Sequence, residues 1–362
     1  MEDSMFCGSY EPDDISFLLK PISMSYTDVL ERERIMQVEG KHYSEMIPKE
    51  YLPSAQYKAV FYTALELNKH KLAQHTLALA NRLNKKENLV LVSLARAGTP
   101  VGVLLKRTLR DLFKRNVPHY SISIILERGV DANALRYILS QHDKQGKDIV
   151  FIDGWTGKGG ITRELQKWVT IFNQKHNTQI SPDLYVIADI GGYATVAVTS
   201  EDYIMPSALL NATINGLISR TILNPAYLGP EDFHGCKYYS EFSEDDLSLW
   251  YVDQLMAEIK SIETPHQGVA TLNREALQKT NQSFVNQLMT TYQIKDIKFI
   301  RPGIGEAIRV LLRRVPYKIL VQDKTSPEIA PFLVLAEEKQ VPVEEMKEMP
   351  YKAAGIVSLM KS

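Results

Sequence analysis

The sequence predicts an α/β protein with a parallel, doubly wound sheet, followed by a smaller three-layer α/β/α domain. Three observations predict it. Apolar runs at 88–94, 118–125, 149–152 and 183–190, bounded by glycine and charge, alternate with segments of helical spacing, the pattern of strand–helix crossovers. At 362 residues the chain exceeds one typical domain. A polar stretch at 261–271, holding Pro265 and Gly268, separates a second series of strands and helices from the first. The expected division is a first unit at 1–260 (a helical part, 1–86, then an α/β core, 87–260), a linker at 261–271 and a second domain at 272–362.

Taken in order, Pro12-Asp13-Asp14 reads as a helix cap before the apolar run 15–19. Residues 54–84 carry Ala59, Tyr62 and Leu65, then Leu72, Leu77 and Ala80, at helical spacing, so one or two long amphipathic helices are expected. His70 and His75 fall in that pattern and read as surface or packing residues. A strand at 88–94 leads through Arg96-Ala97-Gly98 into a helix at 101–113. A second strand, 118–125, leads through Arg128 and Asp131 into a helix ending near Ile138. The strand ending at Asp153 precedes a helix at 162–172, and the strand 183–190 carries Asp189 before Gly191-Gly192. A capped helix closes the unit at 243–260. Beyond the linker the pattern predicts helix 273–289, strand 296–300, helix 304–314, strand 317–321, helix 326–339 and strands 341–344 and 353–359.

Hydrophobic residues at 44% and charged residues at 23% suit an ordinary globular protein. No apolar run approaches the ~18 residues of a membrane span and no leader opens the chain, so a cytoplasmic protein without a membrane partner is expected. Two cysteines, Cys7 and Cys236, exclude a disulfide scaffold and a structural zinc. The net charge of −1 excludes a generally basic nucleic-acid binder. It hides an asymmetry, however. Residues 262–362 hold 14 Lys+Arg against 11 Asp+Glu, so the C-terminal part is the better candidate for an anionic partner.

The loop after the third strand is the main candidate site. Asp153-Gly154-Trp155-Thr156-Gly157-Lys158-Gly159-Gly160 joins a buried-type strand to a helix, where open α/β sheets bind ligands. Glycines at 157, 159 and 160 let backbone N–H groups close on an anion at a helix N-terminus. Thr156 adds a hydroxyl and Lys158 a charge, while Asp153 can steady ribose hydroxyls or a magnesium ion. The spacing matches neither the Walker pattern nor the dinucleotide fingerprint. A phosphorylated sugar is the expected ligand.

These residues resemble the sugar-phosphate loop of type I phosphoribosyltransferases, although Gly154 stands where that family has a second acid. The resemblance implies Asp153 and Arg96 as catalytic residues, with Ala97 and Gly98 in a pyrophosphate loop, Arg128 at the next strand's exit and magnesium as cofactor. More specifically, Gly8-Ser9-Tyr10, Asp14, the 153–159 loop, Ser219-Arg220-Thr221 and Phe233-His234-Gly235 together resemble the bacterial StiP family, associated with tellurite resistance and stress. That family is described both as phosphoribosyltransferase-like and as a cysteine protease. The second description makes Cys236 an alternative nucleophile, with Cys7 less well placed and His119, His142 or His234 as the available bases.

The segment Gly303-Ile304-Gly305-Glu306-Ala307-Ile308-Arg309, with Arg313 one turn on, resembles the RNA-contact segment of the Pelota-type family. The usual pattern there is Gly-x-Asn-Glu-x-x-Lys, so Gly305 replaces Asn. The resemblance implies RNA binding through Gly303, Gly305, Glu306, Arg309 and Arg313. Three functions are therefore expected to compete. They are phosphoribosyl transfer on a ribose 5-phosphate or nucleotide-like compound coupled to RNA binding, peptide hydrolysis by a cysteine, and non-catalytic sensing of a nucleotide by an RNA-binding protein.

Overall fold

The computed structural model describes residues 6–263, 269 and 271–358. Residues 264–268 and 270 of the expected linker, and the end of the expected strand at 359, lie outside the described residues. The larger sheet has seven strands. Six are parallel to their neighbours: β1 (Ser16–Leu18), β2 (Val90–Ala95), β3 (His119–Ile125), β4 (Ile149–Thr156), β5 (Leu184–Asp189) and β6 (Val196–Thr199). Their spatial order is β1-β3-β2-β4-β5-β6, and Gly129–Val130 pairs antiparallel with β3.

Successive side chains of a strand point to opposite faces, and here both faces are covered. Val90, Val92, Leu94, Phe151, Leu184 and Val186 pack with helices α4 (Ala132–Gln141) and α5 (Gly160–His176). On the opposite face Leu91, Val150, Ile152, Tyr185 and Ile187 meet α2 (Ala55–Asn84), α3 (Thr99–Phe113) and α6 (Ser248–Ser261). This is the expected doubly wound sheet. Caps fix several helix starts. Ser54 Oγ accepts the Tyr57 N–H before α2, and Asp131 accepts the N–H groups of Asn133 and Ala134 before α4. A short helix, α1 (Val29–Arg34), lies between β1 and α2.

The C-terminal region holds α7 (Arg274–Thr291), β7 (Ile300–Pro302), α8 (Ile304–Arg313), β8 (Pro316–Val321), α9 (Ala330–Glu338), β9 (Val343–Glu345) and β10 (Ala353–Val357). Its four-stranded sheet has the order β7-β10-β8-β9. Leu320, Ala354 and Ile356 face α7 on one side, and Ile319, Val321 and Ala353 face α8 and α9 on the other. That is the expected three-layer arrangement. The second of these cores is continuous with the first region's, since Ile304, Ile308, Leu311 and Phe332 join one cluster with Tyr57, Val198 and Leu210.

Several expected elements differ. The run 15–19 forms strand β1 in place of a helix; Phe17, Leu18 and Leu19 are all buried, and pairing with β3 outweighs the capping signature ahead of them. The strand expected at 296–300 begins at Ile300, after a 3-10 turn at Ile297–Phe299. The helix expected at 243–260 is split into a 3-10 turn at Ser240–Asp245 and α6. Residues 54–84 form a single helix.

The strand order places one feature. From β2 the chain moves outward to β3, then returns across β2 to β4. The carboxyl ends of β2 and β4 therefore flank the point where the winding reverses, the usual crevice for a ligand in such sheets.

Candidate functional site

At that point lies a cavity of about 270 Å³. From the strand ends it receives Ala95, Arg96 and Ala97 after β2, Ile124 and Leu126 from β3, and Asp153 from β4. Ile161, in the first turn of α5, also borders it. The opposite wall comes from the C-terminal region through Arg301, Glu306, Arg309, Arg313 and Arg314. Arg32 of α1 and Arg220 add two more cations, and Met36, Tyr43, Leu94, Thr221 and Val310 complete the lining. Seven arginines thus meet two carboxylates around one cavity.

Two further acids stand behind the wall. Glu33 accepts from Arg314 Nε at 2.6 Å, and Glu50 pairs with Arg96 at 2.7 Å. Arg96 also donates to the Ile218 carbonyl at 2.7 Å and to Asn211 Oδ1 at 3.0 Å. The Nε atoms of Arg32, Arg96 and Arg220 are buried without a hydrogen-bond partner among the described residues. Burial, with Arg96 and Arg309 adding repulsion, pushes the Arg313 guanidinium well below its ordinary pKa. Burial and Arg32 bring Arg220 down to about 9. At an effective dielectric of 20, two like charges 8 Å apart repel by roughly 2 kcal/mol. The cavity is therefore electrostatically strained toward an anion.

The two acids differ. Burial pushes Asp153 up to about 6, against the pull of Arg309 and of the Gly154 N–H, which donates to Oδ1 at 2.8 Å. Burial also acts on Glu306, but Arg309, Arg301 and Lys158 outweigh it and hold its carboxyl down at about 2. Arg309 donates to Glu306 at 2.6 Å and Arg301 at 3.2 Å, so Glu306 is spent within the wall. The donor set does not fit a resident magnesium ion. No group of three or more His, Cys, Asp or Glu able to hold a metal occurs among the described residues, and the arginines repel a cation.

The expected phosphate loop is used differently. Lys158 Nζ donates to the Ile297 and Ile300 carbonyls, both at 2.6 Å, and burial, with Arg301 nearby, brings its amine down to about 7. The Gly157 carbonyl accepts from Asn281 Nδ2 at 3.2 Å. Gly159 has φ +68°, and a Cβ there would lie 2.3 Å from Tyr193. Thr156 is buried and its carbonyl accepts the Ile190 N–H. Gly160 opens α5. Gly157 and Lys158 form a joint with the C-terminal region, Gly159 packs on Tyr193, and Asp153 and Ile161, on either side, reach the cavity. Gly98 caps α3 beside Asp153. Arg128 pairs with Glu45 at 2.7 Å outside the cavity.

The expected RNA segment also faces inward. Arg309 stacks over Trp155, 4.5 Å from the ring centroid. A Cβ on Gly305 would approach the same indole to 2.7 Å, and one on Gly303 would reach Ile190 at 2.3 Å. Asp202, from the N-terminal region, accepts the N–H groups of Ile304 and Lys352, each at 2.9 Å. Arg32, Arg220, Arg301 and Arg314 were not singled out from the sequence as site residues. Arg220 had a signal in Ser219-Arg220-Thr221; Arg32, inside the charge run Glu31-Arg32-Glu33-Arg34, had none.

Among the described residues neither cysteine meets a histidine. Cys236 is fully buried, and burial pushes its thiol up to about 12. His234 Nδ1 lies 2.8 Å from Ser123 Oγ, His119 bridges Ser93 and the Asp14 carbonyl, and His142 meets Tyr120. Cys7 is half-buried, and burial raises its pKa too.

Fold and site define a two-part α/β protein whose arginine-lined cavity is closed by its C-terminal region. Residues 8–256 match the family described as tellurite-like stress resistance cysteine protease StiP, and 279–359 match the PELOTA RNA binding domain. The chain belongs to the StiP family. A relative in Acinetobacter baylyi, named cysteine protease StiP, is 36% identical over 97% of this chain and 94% of its own length. A solved structure of a hypothetical protein from Neisseria gonorrhoeae with bound ppGpp aligns with a TM-score of 0.21 and 13% identity, covering 34% of this chain and 67% of that one. So slight a likeness carries no argument. No helix among the described residues is long and apolar enough to cross a membrane.

Proposed function

We propose that the cavity between the strand ends and α8 binds a phosphorylated small molecule and is the working site of the protein. The observation that carries this reading is the excess of arginine over carboxylate around a cavity at the reversal point of a parallel sheet. Arginine's planar fork suits phosphate oxygens, and a bound polyanion offsets the repulsion among buried guanidinium groups. Asp153, the acid at the strand tip, faces the same space and, protonated beside a bound anion, can donate to a phosphate oxygen. Phosphoribosyl transfer itself has no support in the comparisons, and the reading stays at the level of phosphorylated ligands. Thermal melting with phosphate, pyrophosphate, ribose 5-phosphate and nucleoside diphosphates tests it. At one hundred dissociation constants a ligand stabilises by about 2.7 kcal/mol, a readable shift. No shift with any of them at matched ionic strength refutes the reading.

A second reading, peptide hydrolysis by a cysteine, is favoured by family membership and by the name of the 36%-identical relative. It requires a thiol to leave its burial and meet a base. Rapid alkylation of Cys7 or Cys236 at neutral pH, with loss of hydrolysis in the matching Cys→Ser variant, would establish it.

A further inference from the structure

We propose that the face of α8 is one surface with two mutually exclusive anionic partners. Docked against the strand ends, it grips the phosphorylated ligand of the cavity; undocked, which also parts the apolar cluster that Ile304, Ile308, Leu311 and Phe332 share with Tyr57, Val198 and Leu210, it is free for RNA. The small ligand thereby holds the RNA face shut. This rests on the reading of the cavity given above.

The docked contacts occupy the features that an RNA-binding face would offer. Its cations Arg309 and Arg313, with Arg301 of β7 beside them, line the cavity. Its acid, Glu306, is consumed by two of them at 2.6 and 3.2 Å. The helix N-terminus, where backbone N–H groups favour a phosphate, is already capped across the boundary by Asp202, which takes the Ile304 N–H at 2.9 Å.

The residue choice at 305 points the same way. A side chain there would enter the Trp155 indole, since even a Cβ would lie 2.7 Å from it. Glycine gives up the side chain and permits the close approach that docking demands. Trp155 also orients Arg309 by stacking at 4.5 Å, so the same contact that closes the face aims a cation at the ligand.

Since the ligand needs the docked form and RNA the undocked one, each weakens the other by the same factor. The test uses the full chain and a labelled RNA hairpin with a kinked internal loop, followed by fluorescence anisotropy. Pyrophosphate is expected to weaken RNA binding by about tenfold beyond a chloride control of equal ionic strength. Gly305→Asn, which forces the face off Trp155, is expected to tighten RNA binding by about tenfold and to abolish the pyrophosphate melting shift. Asp202→Ala, a milder release, moves both in the same direction by less and covers the case in which Gly305→Asn fails to fold. Equal RNA affinity in wild type and Asp202→Ala, no effect of pyrophosphate beyond chloride, or no RNA binding by any form overturns the proposal. If pyrophosphate still shifts wild-type melting in those cases, the cavity reading stands alone. If it gives no shift at all, the cavity reading has failed as well.

Discussion

The turn at 157–160 and the arginine cluster beside it are close in space but opposite in kind. The turn is contiguous, rich in glycine and preceded by an acid-tipped strand, every local sign of an anion loop. In the fold its glycines let Tyr193 and the C-terminal region come close, and its lysine serves two carbonyl groups of that region. The cluster has no local sign: its members come from 32, 96, 220, 301, 309, 313 and 314. Only tertiary structure brings them together, and they outnumber the carboxylates that pair with them. A glycine-rich turn thus states that something approaches the backbone closely. It does not state whether that is a ligand or another part of the chain.

Substitutions can break or sharpen this contrast. The largest effect is expected at Gly159. Valine there combines φ +68° with a clash against Tyr193, and should destabilise the fold by about 4 kcal/mol, read as a lowered melting temperature. Loss of ligand binding at unchanged stability would instead return the turn to its anion-loop role.

Asp153→Asn comes next and acts through pH. The folded pKa of about 6 lies above the ordinary 3.8, so folding penalises the ionised carboxyl. That penalty is complete above pH 6 and vanishes as pH falls toward 3.8, where the group is protonated folded or unfolded. Asparagine should therefore stabilise the protein above pH 6 by up to about 3 kcal/mol, and by nothing near pH 3.5. For the same reason an anion entering the cavity takes up a proton, so wild-type affinity should fall as pH rises through 6; an affinity independent of pH would separate Asp153 from the ligand.

Arg309→Ala should weaken pyrophosphate binding by roughly tenfold, with a stability loss of about 2 kcal/mol, because the stacking on Trp155 goes and Glu306 is left with Arg301 alone. Titration calorimetry distinguishes the two effects. The smallest change is expected for Lys158→Met. Two hydrogen bonds are lost, but so is a buried amine whose charge is already disfavoured, and the net should stay within about 1 kcal/mol. Its pyrophosphate affinity should match wild type. A tenfold loss would make Lys158 a phosphate ligand after all.

Much of the fold was legible because strand–helix alternation is a local pattern. Asp153 and Arg96-Ala97 were legible as positions, since both follow apolar runs at strand ends. The role of Arg96 was not, because its partners Glu50, Asn211 and Ile218 are distant in sequence. Strand β1 was misread since Asp13-Asp14 has the chemistry of a helix cap, while the pairing that decides the outcome is with β3, a hundred residues on. Strand β6 escaped because four residues give too little period to read. The inward turn of α8 was least legible of all: its arginines look the same in the sequence whether they meet water, RNA or Trp155.

The order in which the small sheet is assembled has a consequence for synthesis. Strand β10, Ala353–Val357, is an inner strand between β7 and β8, and the residue just before it, Lys352, donates its N–H to Asp202. A nascent chain that stops short of 353 lacks the centre of that sheet, and with it the seat that presents Arg301, Arg309, Arg313 and Arg314. A chain cut before 353 would thus carry Asp153, Arg32, Arg96 and Arg220 at the strand ends with no opposite wall to face them.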